Sequence, residues 1–336
     1  MSLFIEWLES LLKGWSAAGF YAHFIAALVA GFVIFSIIGM SVMALVWLER
    51  KLSAHLQSRL GPMRTGPHGT LQLLADILKL VTKEDIIPAK ADRWVFVIAP
   101  FIVLVPVVLT FLVIPINSSL IVRDLNVGLL YFLAIPSLSG VGLIMAGWSS
   151  RSKYPLLGAM RAAAQFISYE IPRALAVIGV IMFAGSLSTV AIASSQAKIW
   201  NIIWQPIGFL VFFIGSLAEC HRLPFDLPEG EAELVGGFHT EYSGARFALF
   251  FMAEYGHLVA ACAMTTVLFL GGGSGFLLPS VVWFLIKVIA LIVLIMWIRW
   301  TFPRFRPDQL MDISWKVLLP LALVNLALAS IITAFL

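Results

Sequence analysis

The stretch AHFIAALVAGFVIFSIIGMSVMALVWL, residues 22–48, contains no formally charged side chain. About 20 apolar residues in a helix are enough to cross the hydrocarbon core of a membrane, so this stretch predicts a transmembrane helix. The rest of the chain has the same character, because 61% of its 336 residues are hydrophobic and only 12% are charged. The mean hydropathy is +0.99. This composition excludes an ordinary soluble globular protein, a disordered chain and a disulfide-stapled secreted domain.

Similar apolar stretches recur along the whole chain. We predict one membrane domain over residues 1–336, an all-α polytopic membrane protein with about eight transmembrane helices. The predicted spans are 22–48, 94–122, 125–150, 162–184, 202–218, 247–270, 281–298 and 317–336. The connection between the first two spans is too long for a simple turn. It therefore requires structure of its own.

Within this first loop, apolar residues from Leu71 to Val81 recur at helical spacing, with Asp76 and Lys79 between them. The pattern predicts a short amphipathic helix. Such a helix either lies on the bilayer surface or frames an opening for a lipophilic molecule, and the sequence leaves both possibilities open.

Lys and Arg are distributed unevenly between the loops. The first, third, fifth and seventh loops hold most of the 22 basic residues, whereas the opposite side holds only Lys13, Arg123 and Lys198. Cytoplasmic loops carry the excess of positive charge in membrane proteins. We therefore predict a cytoplasmic first loop and both termini on the periplasmic side. The net charge of +4 is a topology signal and does not indicate nucleic-acid binding.

The thiols and imidazoles do not form a metal-binding pattern. Cys220 and Cys262 have no second thiol nearby in the sequence, and no two histidines have the spacing of a known metal site. We predict no metal and no iron–sulfur cluster on this chain.

The fifth loop, ECHRLPFDLPEGEAELVGGFHTEYSG at residues 219–244, holds six of the 18 acidic residues beside one basic residue, Arg222. These acids are Glu219, Asp226, Glu229, Glu231, Glu233 and Glu241. Apolar residues such as Phe225 and Phe238 lie among them, which indicates a loop that folds back into the protein. Partial burial raises carboxyl pKa values, so such groups exchange protons near neutral pH. The alternative is an acidic loop that binds a basic partner subunit.

Two predicted spans contain acidic residues, Glu170 in the fourth and Glu254 in the sixth. Ionisable side chains within a membrane are costly and usually face a bundle interior or a water-filled cavity. Glu170 and Glu254 are therefore candidates for a proton path. For Glu170 a purely structural ion pair with Arg173, three residues later on the same helix, is the alternative.

Eight motifs occur in a characteristic order between residues 47 and 306. They are WLERK at 47–51, RLGP at 59–62, LQLLAD at 71–76, LGAMRAAAQ at 157–165, SYEIP at 168–172, RLPFD at 222–226, FFMAEY at 250–255 and FPRFR at 302–306. Together they closely resemble the H-subunit family of respiratory complex I, whose mitochondrial members are called NADH dehydrogenase subunit 1.

The resemblance implies a membrane-arm subunit of a proton-pumping NADH:quinone oxidoreductase, a translocase of an energy-transducing membrane such as the bacterial inner membrane. A subunit of this kind forms the quinone (ubiquinone) access chamber at the junction with the peripheral arm, and it has no complete active site alone. The NADH-binding, flavin and iron–sulfur groups lie on other chains, so quinone is the bound substrate here. The implied partners are peripheral-arm iron–sulfur and quinone-site subunits, small and antiporter-like membrane subunits, and lipid, without nucleic acid.

The resemblance also assigns roles to particular positions. The expected quinone chamber consists of Arg50, Arg59, Asp76, Phe225, Asp226, Glu229, Glu231 and Phe238. The expected proton path consists of Glu170, Glu219, Glu229, Glu231, Glu233, Glu241 and Glu254. Three alternatives remain at this stage: the homologous anchor subunit of a membrane-bound hydrogenase or formate hydrogenlyase, a ferredoxin-dependent photosynthetic complex, and a stand-alone transporter.

Overall fold

The computed structural model describes residues 19–117, 120–275 and 278–335, without the side chains of residues 19–24, 26, 27, 30, 231 and 232. Lys13, the first residues of the chain and the side chain of Glu231 therefore lie outside the described part. Over the described residues the chain is helical, and its only β-type pairing is an isolated bridge between Asn117 and Leu120. The predicted all-α fold is confirmed.

Thirteen α-helices, numbered in chain order, form the described part of the molecule. They are α1 Gly19–Leu56, α2 Gln72–Thr82, α3 Arg93–Thr110, α4 Gly128–Ser149, α5 Lys153–Ala184, α6 Thr189–Ser195, α7 Asn201–Trp204, α8 Pro206–Glu219, α9 Glu231–Leu234, α10 Gly244–Phe269, α11 Ser280–Thr301, α12 Pro307–Asp312 and α13 Leu319–Phe335. Short 3₁₀ turns lie at Pro67–Gly69, Phe111–Val113 and Gly237–His239, and a π-helical turn, Ile313–Leu318, joins α12 to α13.

Seven helices in the described ranges are long and apolar enough to cross a membrane, so this is a multi-pass membrane protein. An eighth apolar helix, α8, has only 14 residues. At 1.5 Å per residue it is about 21 Å long, less than the hydrocarbon thickness of about 30 Å. The predicted span 202–218 is divided because Gln205 separates α7 from α8, and Pro206 begins α8 at its first turn.

Three other helices differ from the predicted spans at one end. The second span was predicted to reach residue 122, but α3 ends at Thr110 and its 3₁₀ extension ends at Val113. Conversely, α5 begins at Lys153, nine residues before the predicted start at 162, and the last helical segment begins at Pro307, ten residues before 317. Hydropathy locates only the apolar part of a helix, whereas turns and polar helical ends fix where it begins and stops.

The amphipathic helix of the first loop is present as α2. Leu73 is buried, whereas Leu74, Leu78 and Val81 are exposed. Helix α2 packs against α1 and α10. A 2.7 Å ion pair between Arg50 of α1 and Asp76 of α2 joins the two helices. Burial alone would raise the pKa of Asp76, but hydrogen bonds from Arg50 and Gln72 and the charge of Arg50 outweigh burial and lower that pKa.

Candidate functional site

A cavity of about 190 Å³ lies between the loop that follows α8 and helix α10. Five phenylalanines line part of it, Phe166, Phe238, Phe247, Phe250 and Phe251. Ionisable side chains line the rest, namely Glu219, Glu229, Glu254, His221, His239, His257, Arg222 and Arg299. A space of this size holds several water molecules next to polar partners. The cavity therefore combines an apolar wall with ionisable groups that can bind protons.

The fifth loop is held inside the bundle by hydrogen bonds between a buried amide side chain and the loop backbone. The Nε2 of Gln165 in α5 donates to the carbonyl oxygens of Ala218 at 2.6 Å and Phe225 at 2.9 Å. The ring of Phe225 packs edge-on against Tyr169 and lies 5.6 Å from the ring of Phe305. These contacts place the polar loop against α5, as the mixture of acidic and apolar residues predicted.

Gly158 of α5 allows the same loop to approach closely. A Cβ atom at this position would lie 2.7 Å from the carbonyl oxygen of Pro228 and 2.9 Å from the nitrogen of Phe238. We expect Gly158→Ala to destabilise the protein by about 1–3 kcal/mol, because both neighbours are backbone atoms and the loop must shift. Thermal unfolding in detergent measures the change. Gly31→Ala is the matched control, since its Cβ meets no atom within 4 Å, and an equal effect of both substitutions would contradict the steric explanation.

A buried network of two carboxylates and two guanidinium groups forms one side of the cavity. Arg222 pairs with Glu254 at 2.9 Å and with Glu49 at 3.3 Å. Glu49 also pairs with Arg299 and accepts a 2.8 Å hydrogen bond from the hydroxyl of Tyr255. The Arg222 guanidinium lies 4.0 Å from the centre of the Tyr255 ring. The four formal charges cancel, which makes their burial tolerable.

The carboxylate of Glu219 connects this cavity to a second, smaller one. It pairs with Arg173 of α5, and both residues line the small cavity together with Glu170. The sequence offered an ion pair between Glu170 and Arg173 as one possibility, but Arg173 instead pairs with a carboxylate from α8. Glu170 consequently lies beside this ion pair, one cavity away from Glu254.

Two acidic residues of the loop, Glu229 and Asp226, have raised proton affinities. Burial raises the pKa of Glu229 well above its usual value, the negative charges of Glu254 and Asp226 raise it further, and Arg222 and Arg299 oppose these effects. Burial also raises the pKa of Asp226, against the positive charge of Arg304, which lies 3.1 Å away. Glu229 therefore keeps its proton to a higher pH than an exposed glutamate does.

Two histidines of the loop face the cavity as neutral bases. Burial lowers the pKa of His221 and of His239 to about 4. At neutral pH both imidazoles are uncharged, so each carries one N–H donor and one acceptor nitrogen. The Nδ1 of His239 lies 3.9 Å from Glu229. A neutral imidazole beside a carboxyl can relay a proton without adding a buried charge.

The structure brings together only part of the predicted site. Glu219, Glu229, Glu254 and Phe238 line the main cavity. The other candidates lie elsewhere. Arg50 and Asp76 lie between α1 and α2, and Arg59 is exposed and forms a hydrogen bond with Gln57. Phe225 contacts Phe305, Asp226 pairs with Arg304, Glu233 pairs with Arg161 at the surface, and Glu241 is half-buried. The loop turns Phe225 and Asp226 toward the chain that leads into α12, and the assignment of the eight residues to a quinone chamber stays a prediction.

Three charged residues of the buried network, Arg222, Glu49 and Arg299, were missed as candidates. Glu49 and Arg299 lie at the ends of predicted spans, where charged residues normally meet the interface. Their partners are distant in the sequence, so no local spacing revealed the pairs. Glu49 could have been recognised as a candidate from the sequence, because it is an acidic residue that directly follows a charge-free span.

Metal ligands do not converge in the described part of the chain. No group of three His, Cys, Asp or Glu side chains there is arranged to hold a metal ion. Both cysteines are buried and unpaired. The polar groups of the cavity are instead arranged for proton and charge interactions with one another.

Comparison with known proteins identifies the family. The NADH dehydrogenase family model matches residues 29–330. The second H-type subunit of the NADH-quinone oxidoreductase of Rhizobium meliloti is 51% identical, over 86% of this chain and 91% of the relative. The second H-type subunit of the Geobacter metallireducens enzyme is 49% identical over 93% and 97% of the two chains, and the H-type subunit of the Geobacillus kaustophilus enzyme is 47% identical over 98% of both. This chain therefore belongs to the NADH dehydrogenase family, as one of the H-type subunits of NADH-quinone oxidoreductase.

Proposed function

We propose that this membrane-arm subunit forms the quinone access chamber and couples quinone reduction to proton translocation through its buried carboxylates. One observation carries the proposal: Glu219, Glu229 and Glu254 share the wall of one cavity with two arginines and five phenylalanines. Aromatic side chains suit a quinone ring, and carboxyl groups with raised proton affinity suit proton exchange. The names of the relatives, which are subunits of quinone-reducing enzymes, support the same substrate.

The proposed path of quinone into the protein runs between α1, α2 and α10. These three helices contact one another. The exposed apolar side chains of α2, such as Leu78, would face the lipid from which quinone arrives. Arg50 and Asp76 would border this opening, which agrees with the role that the resemblance implied for them.

The proposed coupling step is electrostatic. A partner subunit supplies two electrons to the quinone, and two protons complete its reduction to quinol. Negative charge that develops on the quinone raises the proton affinity of nearby carboxylates. Glu229 and Glu254 would respond first, and Glu219 would pass the change through its ion pair with Arg173 to Glu170.

We further propose that the chain resides in a bacterial inner membrane with both termini on the periplasmic side. Its partners would be the peripheral-arm subunits that carry iron–sulfur clusters and the quinone headgroup site, together with small and antiporter-like membrane subunits. The uneven distribution of Lys and Arg supports the orientation. The relatives' assignment as subunits supports the existence of such partners.

Glu229→Gln tests this function through its pH dependence. In the wild type, burial raises the pKa of Glu229 well above its usual value, so this carboxyl keeps its proton to a higher pH than an exposed glutamate and loses it as the pH rises through the raised pKa. Proton delivery from this carboxyl should therefore weaken in alkaline buffer. Gln cannot titrate, and we expect severalfold lower NADH:quinone activity with a flatter pH profile.

The enzyme is purified for this test through a tag on the present chain, and the proposed partner subunits are expected to co-purify. Quinone reductase activity and proton uptake into vesicles are then measured from slightly acidic to alkaline buffer. Glu84→Gln is the matched control, because Glu84 is an exposed acid outside the cavity. A pH profile of Glu229→Gln that overlays the wild type would remove Glu229 from the proposed path.

A further inference from the structure

A second, unassigned site lies on the outer face of the bundle at the turn between α4 and α5. A pocket of about 350 Å³ is lined here by Trp148, Arg151, Ser152, Lys153 and Leu156. The side chain of Arg151 is 63% exposed, and its ion pair with Asp92 is long, at 3.7 Å. Exposed pairs of this kind contribute little, so the guanidinium charge remains available to an anion. Lys153 forms no ion pair with any residue that the structure describes.

An apolar groove of about 340 Å³ lies on the outer surface between α3 and α4. Phe101 and Val105 of α3 and Leu138 and Val141 of α4 form its sides, and each is about half exposed. No polar atom contributes accessible surface to this groove. The two helices pack closely because Gly142 has no side chain where a Cβ would meet Val103 at 2.6 Å.

The pocket and the groove are on the same face of α4. Trp148 follows Val141 by seven residues, so the two side chains lie within about 20° of each other around the helix. Along the helix axis they are about 10 Å apart, and Leu138 lies about 15 Å from Trp148. The groove therefore lies at the depth of the acyl chains of one membrane leaflet, whose half-thickness is about 15 Å.

The chemistry of this face identifies its occupant. Tryptophans prefer the level of the lipid headgroups, and the exposed rings of Trp148 and Trp94 lie at this end of the two helices. A backbone hydrogen bond of 3.0 Å from Asp92 to Ser149 holds the helix ends together. Two cations at headgroup level above a purely apolar groove are complementary to a molecule with an anionic head and a long hydrocarbon chain.

We propose that α3, α4 and the start of α5 bind one anionic phospholipid, with its phosphate at Arg151 and Lys153 and one acyl chain in the groove between Phe101, Val105 and Val141. This lipid site is separate from the cavity beside α10, because the two share no lining residue. The inference does not depend on the proposed quinone or proton function.

Binding is tested on the intact enzyme, purified through a tag on this chain and stripped of lipid with detergent. Dioleoyl phosphatidylglycerol is the anionic probe and dioleoyl phosphatidylcholine is the probe without net charge, and native mass spectrometry counts the bound molecules. We expect Arg151→Gln with Lys153→Gln to weaken binding of one phosphatidylglycerol about 30-fold and to leave phosphatidylcholine unchanged. Arg123→Gln with Lys198→Gln removes the same charge elsewhere and should have no effect on this lipid.

A second variant tests the groove without changing charge. Val141→Trp fills the groove and should displace the same phosphatidylglycerol. The new side chain is also apolar, so the membrane-facing surface keeps its character and only the shape of the groove changes. A photo-reactive benzophenone side chain at Val105 should cross-link to phospholipid in membranes. Unchanged binding in both variants would overturn the proposal, and so would a cross-link to another polypeptide, since a protein subunit would then occupy this face.

Discussion

Glu254→Gln is expected to lower NADH:quinone activity about 100-fold, at the lower end of what a positioned proton-transfer group contributes. Gln keeps the shape of the side chain, and its carbonyl oxygen can still face Arg222, which lies 2.9 Å from the carboxylate in the wild type. The substitution removes one negative charge from a neutral buried network and removes a proton-accepting group from the cavity wall. The expected loss is therefore a loss of proton handling with the fold preserved.

The measurement separates electron input from coupling. NADH oxidation by ferricyanide uses only the proposed peripheral arm and should be unchanged, whereas quinone reduction and proton uptake should fall together. Asp312→Asn is the matched control, because Asp312 is exposed and pairs with Lys316 on the surface. If Glu254→Gln retained full quinone reduction and full pumping, the proposed role of this carboxylate would have to be abandoned.

Arg222→Met is expected to have the largest effect on stability. The guanidinium is buried and contacts both Glu49 and Glu254. Its removal leaves two buried carboxylates facing each other, with Arg299 as the remaining cation. Breaking a buried ion pair by removing one partner typically costs about 3–5 kcal/mol. We expect much less assembled enzyme in the membrane and a lower unfolding temperature in detergent.

The origin of this effect is tested by restoring neutrality. The double variant Arg222→Met with Glu254→Gln removes the unbalanced charge and should recover part of the lost stability, which a double-mutant cycle quantifies. Arg64→Met is the control, since Arg64 is exposed. A double variant that is as unstable as the sum of its single variants would show that packing of the Arg222 side chain, and not its charge, is responsible.

Much of the architecture follows from local properties of the sequence. Charge-free spans predict the long helices because only an α-helix satisfies its own backbone in a membrane. The spacing of apolar residues from Leu71 to Val81 predicts α2 because it places these residues on one face of a helix. The division between α7 and α8 was missed because residues 202–218 are apolar apart from Gln205 and Ser216.

The sequence predicted which kinds of residue make up the site, but it did not predict which acidic residue pairs with which basic residue. An acidic loop with Phe225 and Phe238 among its acids indicated a buried loop. Both phenylalanines are buried, and most of the rest of the loop is buried or half-buried. Its partners were not evident because Arg173, Arg304 and Arg161 come from three other parts of the chain. Which basic residue meets which acid depends on how helices pack side by side, and a single sequence carries no direct signal of that arrangement.

The pairing of Glu49 with Arg299 has a consequence for biogenesis. The two residues are separated by 250 positions, and a ribosome adds about 5–20 residues per second. Glu49 therefore emerges roughly 10 to 50 s before its partner is synthesised. Until Arg222 and then Arg299 are synthesised, the end of α1 next to Glu49 carries an acid without its basic partners, and this acid favours water over the bilayer interior. Helix α1 can therefore reach its final packing only after Arg299 of α11 has left the ribosome.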